Sequence, residues 1–200
     1  MDDRDVPREN DAPASRIGRP PKLDEHGTPT RERLLSAAVD ACVEFGYEGA
    51  TLSDIARRAG VSTPAVYSHF GGKAELLVEA SKHELHSVDA RARGGVGGVR
   101  AVVRHWMRPE FERTRNLIGE MNRAALRQPE VAELLGTRQS RNARVLMDDV
   151  GLTASQVRVF YILLLGLSHM DELVWPDVGV DEIERELDEL VVGWFAADAD

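Results

Sequence analysis

The chain has 200 residues, a formal net charge of −9 and a single cysteine, Cys42. One cysteine excludes an intrachain disulfide, which fits a reducing cytoplasm, and the amino terminus lacks the apolar segment of a secretory signal. The longest uncharged apolar run has twelve residues, whereas a membrane span needs about 20. These totals predict a soluble, cytoplasmic protein of one or two domains without membrane contact.

Charge is distributed unevenly along the chain. Residues 16–73 hold eight Lys and Arg against seven Asp and Glu, whereas the segments before and after them are both net negative. The acidity of the whole chain argues against unspecific binding to nucleic acid, but it is compatible with a local positive face. Residues 1–29 are polar and without apolar periodicity, so we predict a disordered amino-terminal arm.

An amphipathic first helix is predicted from about Thr30 to Phe45, because apolar residues recur at the spacing of one helix face. These apolar residues are Leu34, Leu35, Ala38, Val39, Cys42 and Phe45. Gly46 follows, at the position where a helix end favours a left-handed residue. Because Cys42 belongs to the apolar face, we expect an inert core thiol.

A short second helix is predicted over residues 52–59. Thr51 is its N-cap, and Asp54 stands three residues on, in the arrangement of a capping box. Gly60 ends the helix.

A still shorter third helix is predicted over residues 63–69, with Ser62 as its N-cap and Pro64 in its first turn. Val66 and Phe70 are its candidate core residues. Two short helices joined by a turn that contains Gly form a helix-turn-helix. Packed against the first helix, they predict a three-helix DNA-binding head.

The rest of the chain is predicted to be helical, which makes the fold class all-α. The domain boundaries that follow are an arm at 1–29, a helix-turn-helix head at 30–75 and a ligand-binding and dimerisation body at 76–200. Residues 94–98, GGVGG, lack the Lys-Ser/Thr of a phosphate loop and predict a flexible joint. The remaining predicted helices cover residues 73–93, 99–108, 110–127, 131–150, 153–175 and 181–196.

The helix predicted over residues 153–175 is apolar on nearly every side. A helix of this kind needs cover on all sides. Packed with the last helix against their copies in a second chain, it forms a four-helix interface, so we predict a symmetric homodimer. The candidate interface residues are Phe160, Leu164, Leu167, Leu187, Leu190, Val191 and Trp194.

The stretch from Arg31 to Leu77 reads RERLLSAAVDACVEFGYEGATLSDIARRAGVSTPAVYSHFGGKAELL. It contains, in order, a Phe-Gly-Tyr corner, a Thr-x-x-x-Ile-Ala run, an Ala-Gly-Val-Ser turn, a Tyr-x-His-Phe end and a Lys-x-x-Leu start. In these features the chain resembles the amino-terminal domain of the TetR family of bacterial repressors. The resemblance implies a dimeric transcriptional repressor that binds a palindromic double-stranded DNA operator and is released by a small-molecule ligand.

The third helix is expected to lie in the DNA major groove with its first residues near base edges. Ser62 and Thr63 can donate or accept hydrogen bonds, and Pro64 and Ala65 suit the methyl group of thymine.

Phosphate contacts are expected at the far end of the same helix. In the family, the positions that match Tyr67, His69 and Lys73 commonly contact phosphates, and Ser68 lies among them. Lys73 also begins a helix, where backbone N–H groups favour an anion. Thr51, at the start of the second helix, is a similar candidate.

The basic stretch RIGRPPK, residues 16–22, resembles the minor-groove AT-hook, although Ile17 replaces its first Arg. We expect an arm that orders on DNA, with Arg19 in a narrow minor groove and Arg16 and Lys22 beside it. A solvated tail is the alternative.

The body offers aromatic, Met and His side chains for a mostly apolar cavity that suits a small hydrophobic inducer. The alternative is that they are ordinary core residues. The candidates are His105, Trp106, Phe111, Met121, Phe160, His169 and Met170.

Two other functions are alternatives to a DNA-binding repressor. One is a ligand-binding or scaffold protein that has lost DNA binding, an alternative that the acidic bulk leaves open. The other is a metal-dependent enzyme, because His83-Glu84-Leu85-His86 is one residue short of the H-E-x-x-H spacing. No catalytic residue, metal site or cofactor is predicted.

Overall fold

The computed structural model describes residues 28–86, 95–169 and 179–196, and within these ranges the fold is all-α, as predicted. The helices are α1 (Thr30–Gly49), α2 (Leu52–Arg58), α3 (Thr63–Tyr67), α4 (Lys73–Glu84), α5 (Gly95–Trp106), α6 (Glu112–Ala125), α7 (Pro129–Val150), α8 (Ala154–Leu167) and α9 (Val180–Ala196). A 3-10 turn, Pro109–Phe111, precedes α6. No helix in the described ranges combines the length and the apolar character that a membrane crossing requires.

The end of α1 depends on Gly46. This residue has a φ of 70° and a ψ of 171°, so the regular helix stops there before a last turn that ends at Gly49. A side chain would be strained at this φ, and a Cβ would lie 3.0 Å from Oε2 of Glu120. The predicted helix end at Gly46 is therefore confirmed.

Three predicted features are wrong, and the first is the helix expected over 73–93, because α4 ends at Glu84. The joint expected at 94–98 belongs to α5 from Gly95 onward, because buried Val99 and Val102 pack the helix into the core, and such packing overrides the low helix propensity of glycine. The helix expected over 153–175 ends at Leu167, where Ser168 Oγ donates to the carbonyl of Leu164.

One hydrophobic cluster joins the head to the body. Leu34, Ile55 and Val66 of the head pack in the same cluster as Leu117 and Met121 of α6. A second cluster fills the body between α5, α7, α8 and α9. The head is therefore seated on α6 through continuous apolar packing.

Polar contacts reinforce the same junction. Arg113 of α6 donates to Asp40 of α1 (Nε–Oδ1, 3.0 Å) and to Glu84 of α4 (Nη1–Oε1, 2.9 Å). About 10.5 Å farther along α6, which is seven residues at about 1.5 Å each, Glu120 Oε2 accepts from the Tyr47 backbone N–H at 3.0 Å. Both ends of the α1–α6 contact are thus hydrogen-bonded.

Candidate DNA-reading face and body cavity

Helix α3 is held by two buried side chains and exposes the others. Val66 is fully buried and Phe70 is 3% exposed, which confirms both as core residues. Tyr67 is 59% exposed. The remaining predicted contact residues are exposed, as at Ser62, Pro64, Ser68 and His69, or half-buried, as at Thr63 and Ala65. A rigidly anchored helix therefore presents a continuous polar and aromatic outer face.

The starts of α2 and α3 are built differently. The Asp54 N–H donates to Thr51 Oγ1 at 3.1 Å, and the Thr51 hydroxyl donates back to Asp54 Oδ2 at 2.7 Å. Ser62 stands at the N-cap position of α3 but makes no side-chain capping bond, contrary to prediction, although its backbone is extended as a cap requires. The Thr51 hydroxyl is therefore engaged, whereas that of Ser62 is not used to cap α3.

A negative charge persists beside the start of α2. Hydrogen bonds from the Thr51 hydroxyl and the Arg57 guanidinium hold the pKa of the Asp54 carboxyl below its usual range. Arg57 pairs with Asp54 at 3.2 Å, and Arg58 pairs with Glu44 at 2.6 Å. These two arginines contribute little uncompensated positive charge to the face.

Lys73 begins α4, as predicted, but its ammonium group has partners within the chain. Nζ donates to the carbonyls of Tyr47, at 2.9 Å, and Glu48, at 3.4 Å, and it lies 4.5 Å from the centre of the Tyr47 ring. Lys73 therefore ties the end of α1 to the start of α4. Its role toward phosphate stays a prediction.

A cavity of about 560 Å³ lies in the body between α5, α6, α7 and α8, below the end of α4. Most of the side chains around it are apolar, including Trp106, Met121 and Phe160. The polar lining residues are Asn122, Arg138, Gln139, Ser140, Asn142 and Arg158. A cavity of this size and composition suits a small amphipathic molecule.

The comparison with known families concerns the head. The model of bacterial regulatory proteins of the tetR family matches residues 34–80, which include all of α2 and α3. In these residues the chain is similar to regulators of the TetR family.

Curated transcriptional regulators match this chain over part of its length. The transcriptional repressor KstR of Mycobacterium tuberculosis is 31% identical over 106 residues, which are 52% of this chain and 44% of KstR. The regulator SrpR of Pseudomonas putida is 43% identical over 60 residues, 30% of this chain and 28% of SrpR. The chain thus spans less than half the length of these curated relatives.

Solved structures extend the likeness to the body. A transcriptional regulator from Rhodococcus sp. Rha1 has a TM-score of 0.60 and 26% identity, over 84% of this chain and 96% of the other. GusR of Salmonella enterica, at 20% identity, has a TM-score of 0.65 over 82% of this chain and 94% of the other, and so shares the fold.

The body cavity contains only part of the predicted pocket. Trp106, Met121 and Phe160 line it. His105 borders a separate shallow hollow with Arg104 and Arg108.

The other predicted pocket residues lie elsewhere. Phe111 packs on the His105 ring at 3.9 Å between centres. His169 contacts Arg123 (Nδ1–Nη1, 3.1 Å). Met170 lies outside the described residues.

The predicted dimer interface is also divided. Phe160 is 3% exposed and Val191 fully buried within one chain, so neither offers surface to a second copy. Leu190 is exposed and so available to a second copy, whereas Leu164, Leu167 and Leu187 are half-buried. The side chain of Trp194 lies outside the described residues.

The exposed apolar side chains of α8 and α9 include several that the prediction did not name. They are Val159, Ile162, Leu165 and Val192.

Among the cavity residues that sequence reasoning missed is the cationic Arg138. It occupies the apolar stripe of α7, three residues after buried Leu135 and eight before buried Leu146. A charge within an apolar stripe is the signal that could have found it.

Two further predictions concern the amino-terminal arm and a metal site. Arg16, Arg19 and Lys22 lie outside the described residues. In the described ranges, which include His83 and His86, no group of three or more metal-binding side chains comes together.

Proposed function

We propose that this chain is a sequence-specific transcriptional regulator that binds a palindromic DNA operator as a homodimer and is released by a small molecule. The observation that carries the proposal is α3, whose outer face is exposed while Val66 and Phe70 fix the helix to the head. A helix fixed in this way can place Thr63 and Ala65 against base edges without reordering on contact.

The acidity of the chain limits how DNA is held. Arg57 and Arg58 are paired with acids in the head, and Asp54 stays ionised near the start of α2. The affinity of one head for DNA is therefore modest. Two heads on one dimer raise the affinity for the whole operator, because the second head meets its half-site at a high effective concentration.

A dimer is supported by the apolar surface that one chain leaves exposed. Val159 and Ile162 lie three residues apart on α8 and are 46% and 63% exposed, and Leu190 and Val192 are exposed on α9. A second copy placed across both helices by a two-fold axis can bury Val159 and Ile162 together with one of the two α9 side chains, since residues two apart on a helix do not share a face. The position of this surface, on the last helices of the body, leaves both heads free for DNA.

Release by a ligand is supported by the location of the cavity beneath α4. Leu85, which follows α4, and Met121, which packs in the cluster shared with the head, both line it. α4 begins at Lys73, directly after the reading helix. A ligand that shifts α4 therefore changes the separation of the two reading helices in the dimer, and with it the operator affinity.

DNA binding is tested with the region upstream of the chain's own coding sequence, in mobility-shift and anisotropy titrations at several salt concentrations. Thr63→Ala should change the preference among single-base operator variants, because the proposed docking brings Thr63 to a base edge. An unchanged preference profile would contradict that placement. Absence of any shift, from a dimer that still binds ligands, would favour the ligand-binding alternative.

Lys73→Ala separates phosphate binding from the structural role of Lys73. A phosphate contact predicts equally weaker binding to all sequences and a salt slope lower by about 1. Lys82→Ala, on the same helix, is the control and should leave the slope unchanged. If Lys73 only holds the Tyr47 and Glu48 carbonyls, thermal stability falls while the slope stays constant.

The dimer is tested by sedimentation of the whole chain at micromolar concentration. Ile162→Glu should shift the mass from about twice 22 kDa toward the 22.1 kDa of one chain, because a buried carboxylate at a two-fold interface faces its own copy. Arg141→Glu, on exposed α7 surface, is the control. A wild-type chain that sediments only as a monomer would overturn the dimer.

A further inference from the structure

The charges around the body cavity have one sign. Arg138 and Arg158 line it, and the described residues that line it include no Asp or Glu. In a chain whose formal net charge is −9, a pocket with two cationic side chains and no anionic one is a departure from the average surface. Arg158 is exposed at the mouth, whereas Arg138 is half-buried.

Arg138 is held in place by the helix that leads to the head. Its Nη1 donates to Ser81 Oγ of α4 at 3.3 Å, and the fully buried Ser81 hydroxyl donates to the Val78 carbonyl at 2.7 Å. A neutral hydroxyl is a weaker acceptor for a guanidinium than a carboxylate is. The Nε atom of the same guanidinium is buried without an acceptor in the described part of the chain, so an anion in the cavity can bind there and compete with the Ser81 hydroxyl for the guanidinium.

A second donor on the cavity wall points to an oxygen-bearing ligand. Trp106 is 2% exposed and lines the cavity, and its indole Nε1 is buried without a hydrogen-bond partner among the described residues. A buried N–H without an acceptor is unfavourable. A ligand that supplies an acceptor here removes that penalty, whereas a pure hydrocarbon does not.

We propose that the cavity binds an amphipathic organic acid, with its carboxylate on Arg138, its apolar body among the buried side chains and an oxygen within reach of the Trp106 N–H. This inference rests on the ligand-binding part of the proposed function and gives the ligand its chemical class. Because Arg138 also holds Ser81, the carboxylate draws the guanidinium from α4. The charge of the ligand, and not its apolar body, then changes the position of α4.

The test compares decanoate with 1-decanol by calorimetry on the full chain, without DNA. The wild type should bind decanoate about tenfold or more tightly than decanol, as expected for charge-assisted hydrogen bonds. Arg138→Gln should weaken decanoate binding by about tenfold and leave decanol binding unchanged. Arg141→Gln, the same substitution on the same helix outside the cavity lining, is the control and should alter neither.

The outcomes separate the ligand class from the rest of the proposed function. Equal binding of acid and alcohol by the wild type, no binding of either, or an unchanged preference in Arg138→Gln would overturn the inference. If Arg138→Gln does not fold, the test relies on two other measurements. The wild type should prefer decanoate to decanol, and Arg138→Lys, which keeps the positive charge, should retain that preference. These calorimetric measurements need no DNA. A chain that fails to bind DNA would therefore overturn the proposed regulator function, while its preference for decanoate over decanol could still be measured.

Decanoate and decanol should also differ in a mobility-shift assay, if the chain binds its operator. Decanoate at saturation should release the DNA, whereas decanol at saturation should not, because only the acid competes for Arg138. Release by both probes to the same extent would overturn the role given to the carboxylate.

Discussion

Glu120 of α6 holds the end of α1 through its charge. Its Oε2 accepts from the Tyr47 N–H at 3.0 Å, and its Oε1 accepts from Arg123 Nε at 3.1 Å. Burial favours the neutral carboxyl, but hydrogen bonds from Arg123 and Tyr47, with the charges of Arg123 and Arg127, outweigh burial and hold the Glu120 pKa below its usual range. Glu120→Gln should therefore destabilise the junction of head and body.

The expected loss follows from the two hydrogen bonds. Each bond to a charged group contributes about 1.5–3 kcal/mol, roughly twice the value of its neutral counterpart. The Glu120 side chain is 24% exposed, so solvent screens part of this difference. We expect the free energy of unfolding at pH 7 to fall by about 1–2 kcal/mol, and Tm by about 2–8 °C for a chain of this length.

The pH dependence has a defined sign. A carboxyl with a lower pKa in the folded than in the unfolded chain stabilises fully above the ordinary glutamate pKa of about 4.3. That contribution is lost as the pH falls through the lowered pKa of the folded chain. The difference between wild type and Glu120→Gln should therefore narrow between pH 7 and pH 3.

Urea unfolding between pH 7 and pH 3 measures the difference in free energy of unfolding between wild type and Glu120→Gln. The control is Glu133→Gln, at an exposed position of α7. A difference of constant size across the series would refute the argument from charge. No difference at pH 7 would refute the contact itself.

Three further predictions concern Arg115, Cys42 and Gly46. Arg115→Met should lower the free energy of unfolding by about 2–4 kcal/mol in urea, because buried Arg115 Nη1 donates to the carbonyls of Trp106 and Arg108 at 2.7 and 2.9 Å; an unchanged midpoint would contradict this. Burial and the nearby Glu120 carboxylate raise the pKa of the Cys42 thiol to about 12, so iodoacetamide at pH 8 should label the folded chain about a thousand times more slowly than the urea-unfolded chain. Comparable rates, by mass spectrometry, would mean that Cys42 is accessible. Gly46→Ala should cost about 1–3 kcal/mol in thermal unfolding, since its φ is 70° and a Cβ would meet Glu120.

The head could be predicted closely because its boundaries depend on local signals. The positive φ of Gly46, Pro64 in the first turn of α3 and the helix start at Lys73 each follow from the residue type at that position. The burial of Val66 and Phe70 follows from apolar spacing over a few residues. The hydrogen bonds of Lys73 could not be found in this way, because Tyr47 and Glu48 are about 25 residues away in sequence.

The body was predicted in type but not in detail. Apolar spacing cannot tell whether a side chain is covered by its own chain or by a second copy, so Phe160 and Val191 were assigned to an interface although both are buried within one chain. Glycine at 95 suggested a break that buried valines override. Arg138 was missed because its meaning depends on a cavity formed by four helices.

The opening of the cavity on α8 affects how fast a ligand can enter and leave. Ile162 and Leu165 line the cavity and are also exposed on α8, so a second chain seated on that face would cover one way into the pocket. Ligand exchange through this opening would then wait for the subunits to separate. Induction by this route would slow as the protein concentration rises, and a bound ligand would stay for about as long as the dimer does.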